Sequence, residues 1–273
     1  MNFHLYNKRV VAYKVKGDSS APLLVLAHPL GMNQSVWDDL IQPLLPRFQI
    51  LTWDLPGHGD SEPWPAYIDS ITVNDLCLEL LSIVDALSIK QFHFIGTSIG
   101  GLIGQQLLQT YRDRLNSITL TNTGAVIGTT EAWQQRAENV RQTGLLTLAS
   151  EFVPRWFCQH SFENIPNLLE GWISILKRVD DHSYALLCNM IGHTHFNHQS
   201  YQTAVAIRLA GGDQDIATPP ALLTGLAESL NVAPPKIFKN TGHVPSVENP
   251  EALLVEINLI LKVNHRFPNN TPA

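Results

Sequence analysis

The sequence predicts an α/β protein, a mostly parallel sheet flanked by helices and interrupted by one inserted helical segment. Short runs rich in Val, Ile, Leu and Phe recur at residues 22–27, 48–53, 92–95, 117–120, 205–209 and 236–238. They are apolar on successive residues rather than alternating, as expected of strands covered on both faces. Helical patterns lie between several of them, and strand, helix, strand in alternation implies parallel strands joined by right-handed crossovers. From about residue 126 to 202 the strand pattern stops, leaving helix-like stretches rich in aromatics, and it resumes at Val205.

Each element has a local reason. MNFHLYNKRVVAYKVKG reads as two short strands around Asn7-Lys8, without the apolar core of a signal peptide. Residues 73–87 place Leu76, Leu80 and Ile83 on one helical face, and the segment after Ser98 does the same with Leu102, Ile103 and Leu107. In the inserted segment, Thr129 can cap a helix on which Trp133, Ala137 and Val140 share a face, and Gly144 can end it. A helical insertion that returns to the same sheet suggests a lid over the carboxyl ends of the strands, where such sheets bind ligands. The expected division is a core of 1–125 and 204–265, a cap of 126–203 and a C-terminal tail of 266–273.

Composition bounds the partners. The 273 residues are 44% hydrophobic and 15% charged with a formal net charge of −6, a globular balance that offers nucleic acid no basic surface. No apolar run approaches the roughly 18–20 residues a membrane span needs. The expected partner is a small molecule, with no nucleic acid and no membrane, and the expected location is the cytoplasm. Cys77, Cys158 and Cys188 are scattered and odd in number, which fits buried reduced thiols better than a disulfide framework.

The chemistry centres on Gly96-Thr97-Ser98-Ile99-Gly100, a match to G-x-S-x-G set between a strand and a helix. A sharp corner there leaves Ser98 in a strained backbone with its side chain out, and small residues two before and two after avoid a clash. The plainer alternative is a serine that only caps the helix. A serine nucleophile needs a base, and His243, in the Gly-His turn after the last strand, stands where a mobile imidazole can reach it. The orienting acid is expected between the two in sequence. Asp213 and Asp215 both follow the strand at 205–209; Asp215, three residues before Thr218-Pro219-Pro220, is favoured, with Asp213 as a turn residue. The loop after 22–27 can supply the backbone N–H of Leu30, which with that of Ile99 makes the two donors of an oxyanion hole. His28 and His58 read as loop-holding residues. His193, His195 and His198 do not share one helical face and lack a neighbouring carboxylate or Cys, so no metal site is expected.

HPLGMNQSVW, DLPGHGDS, GTSIGG, GGDQDIATPP and GHVPSVENP stand in the order of the α/β-hydrolase family, and the chain resembles that family from residue 22 to about 262. The resemblance implies an eight-stranded, mostly parallel sheet with a helical cap and a cofactor-free triad of Ser98, Asp215 and His243. NTGAVIGTTEAWQQR, residues 122–136, and RWF, residues 155–157, look like the corresponding stretches of 3-oxoadipate enol-lactonases. Those enzymes usually carry Arg before the Gly-His-Gly turn, where this chain has Pro56, and often in the last cap helix, near Gly192 here. The likeness implies hydrolysis of a small lactone, 3-oxoadipate enol-lactone, in aromatic catabolism by the β-ketoadipate pathway. Trp133 and Arg136 are then the candidate substrate-binding residues, Arg136 as the cation for a substrate carboxylate; a solvated Arg on the cap is the alternative. The rival functions are another carboxylesterase or C–C-bond hydrolase of the same fold, or a non-catalytic sensor of small molecules.

Overall fold

The computed structural model describes residues 1–197 and 205–264. The expected boundary at 203/204, His198 and the tail 266–273 lie outside the described residues. β1 (Asn2–Tyr6) and β2 (Arg9–Lys16) pair as a hairpin whose turn residues, Asn7 and Lys8, take φ of 48° and 64°. That left-handed pair matches the twist of a two-residue hairpin. β3 (Leu23–Ala27), β4 (Gln49–Trp53), β5 (Phe92–Thr97), β6 (Leu115–Thr121), β7 (Ala206–Gly212) and β8 (Lys236–Phe238) run parallel, and β2 joins them antiparallel to β4. The order across the eight-stranded sheet is β1-β2-β4-β3-β5-β6-β7-β8.

Every residue of β3, β4 and β5 is buried, which is why these segments are apolar without alternation. Three strands run past the apolar stretches that mark them in the sequence. β5 continues through Gly96 and Thr97, β6 through Thr121, and β7 through Gly211 and Gly212. These carboxyl-end residues are small or polar because they adjoin the loops of the site, so the hydrophobic signal stops before the strand does.

On the sheet, α2 (Val73–Ala86) packs against α3 (Ile99–Thr110), and α3 against β5. α9 (Pro220–Leu230) packs against β7, and α11 (Pro250–Asn264) against β6 and β7. α1 (Asp38–Leu44) and the short α10 (Pro245–Glu248) complete the core helices among the described residues. Between β6 and β7 lie five more: α4 (Thr130–Thr143), α5 (Leu145–Phe152), α6 (Gln159–Asn164), α7 (Leu168–Leu176) and α8 (Asp181–His193). α4 starts where Thr129 accepts the Ala132 N–H at 3.2 Å and stops at Gly144, φ 79°. α4 and α8 cross closely at Gly192: the Thr130 hydroxyl donates to the Gly192 carbonyl at 2.6 Å, and a Cβ at Gly192 would lie 2.9 Å from that of Trp133. That crossing leaves little space for a side chain at Gly192.

Candidate active site

The strand order fixes where the loops meet. β3 lies between β4 and β5, so the chain departs from it in opposite directions, and the crevice at such a switch point is where open α/β sheets bind ligands. The register sets Ala27 beside Gly96, Thr97 beside Thr121, and Thr121 beside Ala210. The loops that follow β3, β5, β6, β7 and β8 therefore leave one edge of the sheet, carrying Leu30, Ser98, Asn122, Asp215 and His243.

Ser98 occupies the corner between β5 and α3 with φ 59° and ψ −116°. This conformation costs a non-glycine residue of order 1–3 kcal/mol and persists only where the surroundings impose it. Here its N–H donates to the Thr121 carbonyl at 3.0 Å, and its carbonyl accepts from Gly101 N–H at 2.8 Å and the Thr123 hydroxyl at 3.0 Å. A Cβ at Gly96 would run into the backbone of Gly100, and one at Gly100 into the backbone of Ala27. The two glycines are what let strand, corner and helix close on each other. The Ser98 hydroxyl makes no hydrogen bond among the described residues, and the residue keeps 8% of its surface exposed. Contacts of this kind often tighten only when substrate is bound.

Asp215 and His243 meet directly. His243 Nδ1 lies 2.9 Å from Asp215 Oδ2, and both residues are buried. The same Oδ2 accepts from the Thr218 hydroxyl at 2.6 Å and from Asn122 Nδ2 at 2.8 Å, while Oδ1 accepts the N–H groups of Ala217 and Thr218 at 2.8 and 2.9 Å. Burial alone raises the Asp215 carboxyl; the charge of His243 and the hydrogen bonds from His243 and Thr218 outweigh it and hold the group at about 2. Asp215 is therefore a carboxylate at neutral pH, with Nδ1 of the imidazole as its donor. Asp213 turns elsewhere, 3.6 Å from the exposed Lys239 ammonium.

Asn122, which sequence reasoning passed over as a site residue, binds the two loops together. It takes φ 47°, a region Asn tolerates better than most residues. Besides Asp215, its side-chain amide donates to the Gly242 carbonyl at 3.0 Å. Its position right after β6 was the available signal.

His28 and His58 cross-brace the two loops beside Leu30. His28 Nδ1 is 2.8 Å from the Pro29 carbonyl, and its Nε2 accepts the Leu55 N–H at 2.9 Å. His58 Nδ1 is 2.9 Å from the Pro56 carbonyl, and its Nε2 accepts the Gly31 N–H at 3.0 Å. Each ring thus needs one protonated and one bare nitrogen, the neutral form. Burial lowers His28 to about 4; burial, then the neighbouring His28 charge, lowers His58 to about 3. With Gly31 N–H committed to His58, the Leu30 N–H donates to no group among the described residues. Ile99 heads α3, so its N–H has no carbonyl one turn back.

An open cavity of about 380 Å³ lies between α4, α5 and the loop after β7. Ile216 and Ala217, next to Asp215, line it, as does Trp156, whose carbonyl accepts the His243 N–H at 2.8 Å. Ser98 and His243 themselves are not in its lining. Trp133 and Arg136 are, with the Trp133 ring fixed by a 2.6 Å bond from Nε1 to the Ile127 carbonyl. The Arg136 guanidinium lies 4.0 Å from the ring centroid of Phe152, 5.5 Å from that of Trp133 and 5.8 Å from that of Tyr184. Its Nε is buried without a partner among the described residues. A wider depression of about 980 Å³, between the start of α2 and helices α4 and α8, is lined by His193 and His195 and includes neither Asp215 nor His243. Both of those histidines are exposed, and no group of three His, Cys, Asp or Glu among the described residues is arranged to hold a metal ion. The three cysteines are free and buried.

Fold and corner define the class. The chain belongs to the α/β-hydrolase fold family, whose model matches residues 22–161, and is a hydrolase of that fold. It is similar to 3-oxoadipate enol-lactonase 2 of Acinetobacter baylyi, 28% identical over 250 residues that cover 92% of each chain. It is also similar to the solved enol-lactonase of Burkholderia xenovorans, with a TM-score of 0.88, 29% identity, and coverage of 96% of this chain and 100% of that one. A more distant relative is the pimeloyl-[acyl-carrier protein] methyl ester esterase of Vibrio vulnificus, 24% identical over 85% of this chain and 91% of the other. No helix among the described residues is long and apolar enough to cross a membrane.

Proposed function

We propose that the protein is a serine hydrolase that opens a small lactone or ester, with 3-oxoadipate enol-lactone, an intermediate of aromatic catabolism, as its substrate. The observation that carries the reading is the buried Asp215–His243 hydrogen bond on the sheet edge that also holds the strained Ser98 corner. In this reading Ser98 Oγ attacks the lactone carbonyl while His243 Nε2 takes its proton, and Asp215 holds Nδ1–H and offsets the charge of the imidazolium. The N–H groups of Leu30 and Ile99 stabilise the tetrahedral oxyanion. Collapse breaks the ring C–O bond, and His243 returns the proton to the leaving oxygen, which stays tethered to the acyl chain. Water, deprotonated by His243, then frees Ser98. No cofactor is required. Helices α4–α8 act as the cap, and the reaction belongs in the cytoplasm, where the three free thiols stay reduced.

The substrate reading is supported by the similarity to enol-lactonases and by Arg136. Three aromatic rings surround its guanidinium, which favours the cation at the wall where a substrate carboxylate would sit. Trp133 forms the adjoining wall. A second reading, another carboxylesterase, is favoured by the similarity to the pimeloyl ester esterase. Turnover of p-nitrophenyl acetate and of the enol-lactone by wild type and Ser98→Ala tests both. Loss of about 10⁴ or more on both substrates in the variant is expected. A variant that keeps a tenth of wild-type turnover removes Ser98 as nucleophile, and a wild type that hydrolyses only linear esters selects the second reading.

A further inference from the structure

We infer that Glu248 is a positioning residue for His243, fixing the imidazole by tying its loop to the helical insertion. The inference rests on the proposed role of His243 as the base.

Three consecutive backbone N–H groups surround the histidine, and none is left to solvent. Those of Gly242 and Val244 donate to Glu248, to Oε2 and Oε1 respectively, each at 3.0 Å. That of His243 donates to the Trp156 carbonyl at 2.8 Å. The peptide planes before and after His243 are thereby pinned, which fixes its φ and ψ and hence the direction of its Cα–Cβ bond. Precision of this kind is what a base needs, because a displacement of about 1 Å costs on the order of 10²-fold in rate.

The anchor reaches beyond its own loop. Glu248 Oε2 also accepts the Cys158 N–H at 2.9 Å and the Ser161 hydroxyl at 2.8 Å, both at the start of α6. The Cys158 thiol donates back to the Asn240 carbonyl at 3.0 Å. One carboxylate thus accepts four hydrogen bonds, two from the histidine loop and two from the insertion. Because the acceptor is charged, each is stronger than a neutral bond. On the opposite side Asn122 holds the Gly242 carbonyl, so the loop is clamped between the sheet edge and the insertion. Trp156 belongs to the same turn, with its carbonyl on His243 and its ring on the 380 Å³ cavity.

Glu248→Gln and Glu248→Ala test the role. The glutamine keeps the shape and one acceptor oxygen but turns an N–H toward a backbone donor. We expect kcat for p-nitrophenyl acetate to fall roughly 10-fold in Glu248→Gln and roughly 100-fold in Glu248→Ala, with KM within about threefold of wild type. Rates are expressed per site titrated with a fluorophosphonate, so unfolded protein does not count, and the labelling rate should fall by the same factors as kcat. Values of kcat per titrated site within twofold of wild type in both variants would overturn the inference and leave Glu248 a purely structural residue, even with a lowered Tm. If the alanine variant does not fold, the glutamine variant decides alone. Ser98→Ala in the same assay separates the two readings, since labelling and turnover surviving there strike the serine mechanism itself.

Discussion

Replacing Asp215 by Asn changes one atom and strands several partners. Five hydrogen bonds converge on the carboxylate, three at Oδ2 and two at Oδ1. With the new NH₂ at the Oδ2 position it faces His243 Nδ1, and the imidazole must shed that proton and carry it on Nε2, the nitrogen that in the proposed mechanism accepts from Ser98. With the NH₂ at the Oδ1 position it faces the N–H groups of Ala217 and Thr218, and donor meets donor twice. Both orientations also remove the charge that offsets the imidazolium. The expected loss in kcat is about 10⁴, equivalent to about 5.4 kcal/mol of transition-state stabilisation. Asp213→Asn serves as the internal comparison. It loses a 3.6 Å ion pair with Lys239, which is 86% exposed, and keeps an amide oxygen for the long 3.4 Å bond from the Thr241 N–H. A surface pair contributes at most about 1 kcal/mol to stability, so turnover should stay within about threefold of wild type. Steady-state hydrolysis of p-nitrophenyl acetate and of the lactone, normalised to folded protein, measures both variants. A tenth of wild-type activity left in Asp215→Asn, or a larger loss in Asp213→Asn, would refute the assignment.

Arg136→Ala should lower kcat/KM for the anionic lactone by roughly 10- to 150-fold through loss of one hydrogen bond to a charged group, while a neutral aryl acetate is hydrolysed at nearly the wild-type rate. Equal losses on both substrates would instead indicate a damaged cap. Folding should be acid-labile through His28 and His58: their folded values, about 4 and about 3, lie below the unfolded value near 6.5, so the unfolded chain binds more protons as pH falls through that window. From pH 7 to 5 each contributes a loss of about 2 kcal/mol, readable as a falling urea midpoint; a midpoint unchanged over that range would mean the rings are not buried neutral. Gly100→Ala pushes a methyl into the backbone of Ala27, which has no side-chain freedom to yield. A loss of stability of about 1–3 kcal/mol together with impaired turnover is expected, and a variant indistinguishable from wild type in both would show that the corner has slack.

Local order makes much of this protein legible in its sequence. Unbroken apolar runs mark β3, β4 and β5 because both faces of a central strand are covered, and Thr129 and Gly144 bound α4 because capping acts over a few residues. The Gly-Thr-Ser-Ile-Gly corner was equally visible, since its steric demand falls on positions two residues away. What the chain order alone left open was which aspartate meets His243. Asp213 and Asp215 sit in the same turn, and only the approach of the β8 loop, 28 residues on, directs one to the imidazole and the other to Lys239. Likewise Asn122 reaches Gly242 across 120 residues, and Glu248 reaches Cys158 across 90. The crossed bonds from His28 to Leu55 and from His58 to Gly31 each span 27. Periodicity and capping report which surface a residue turns to its neighbours in sequence. Hydrogen bonds between loops depend on which strand ends the sheet order brings together, and that is settled only when β3 is placed between β4 and β5 and β6, β7 and β8 are set side by side.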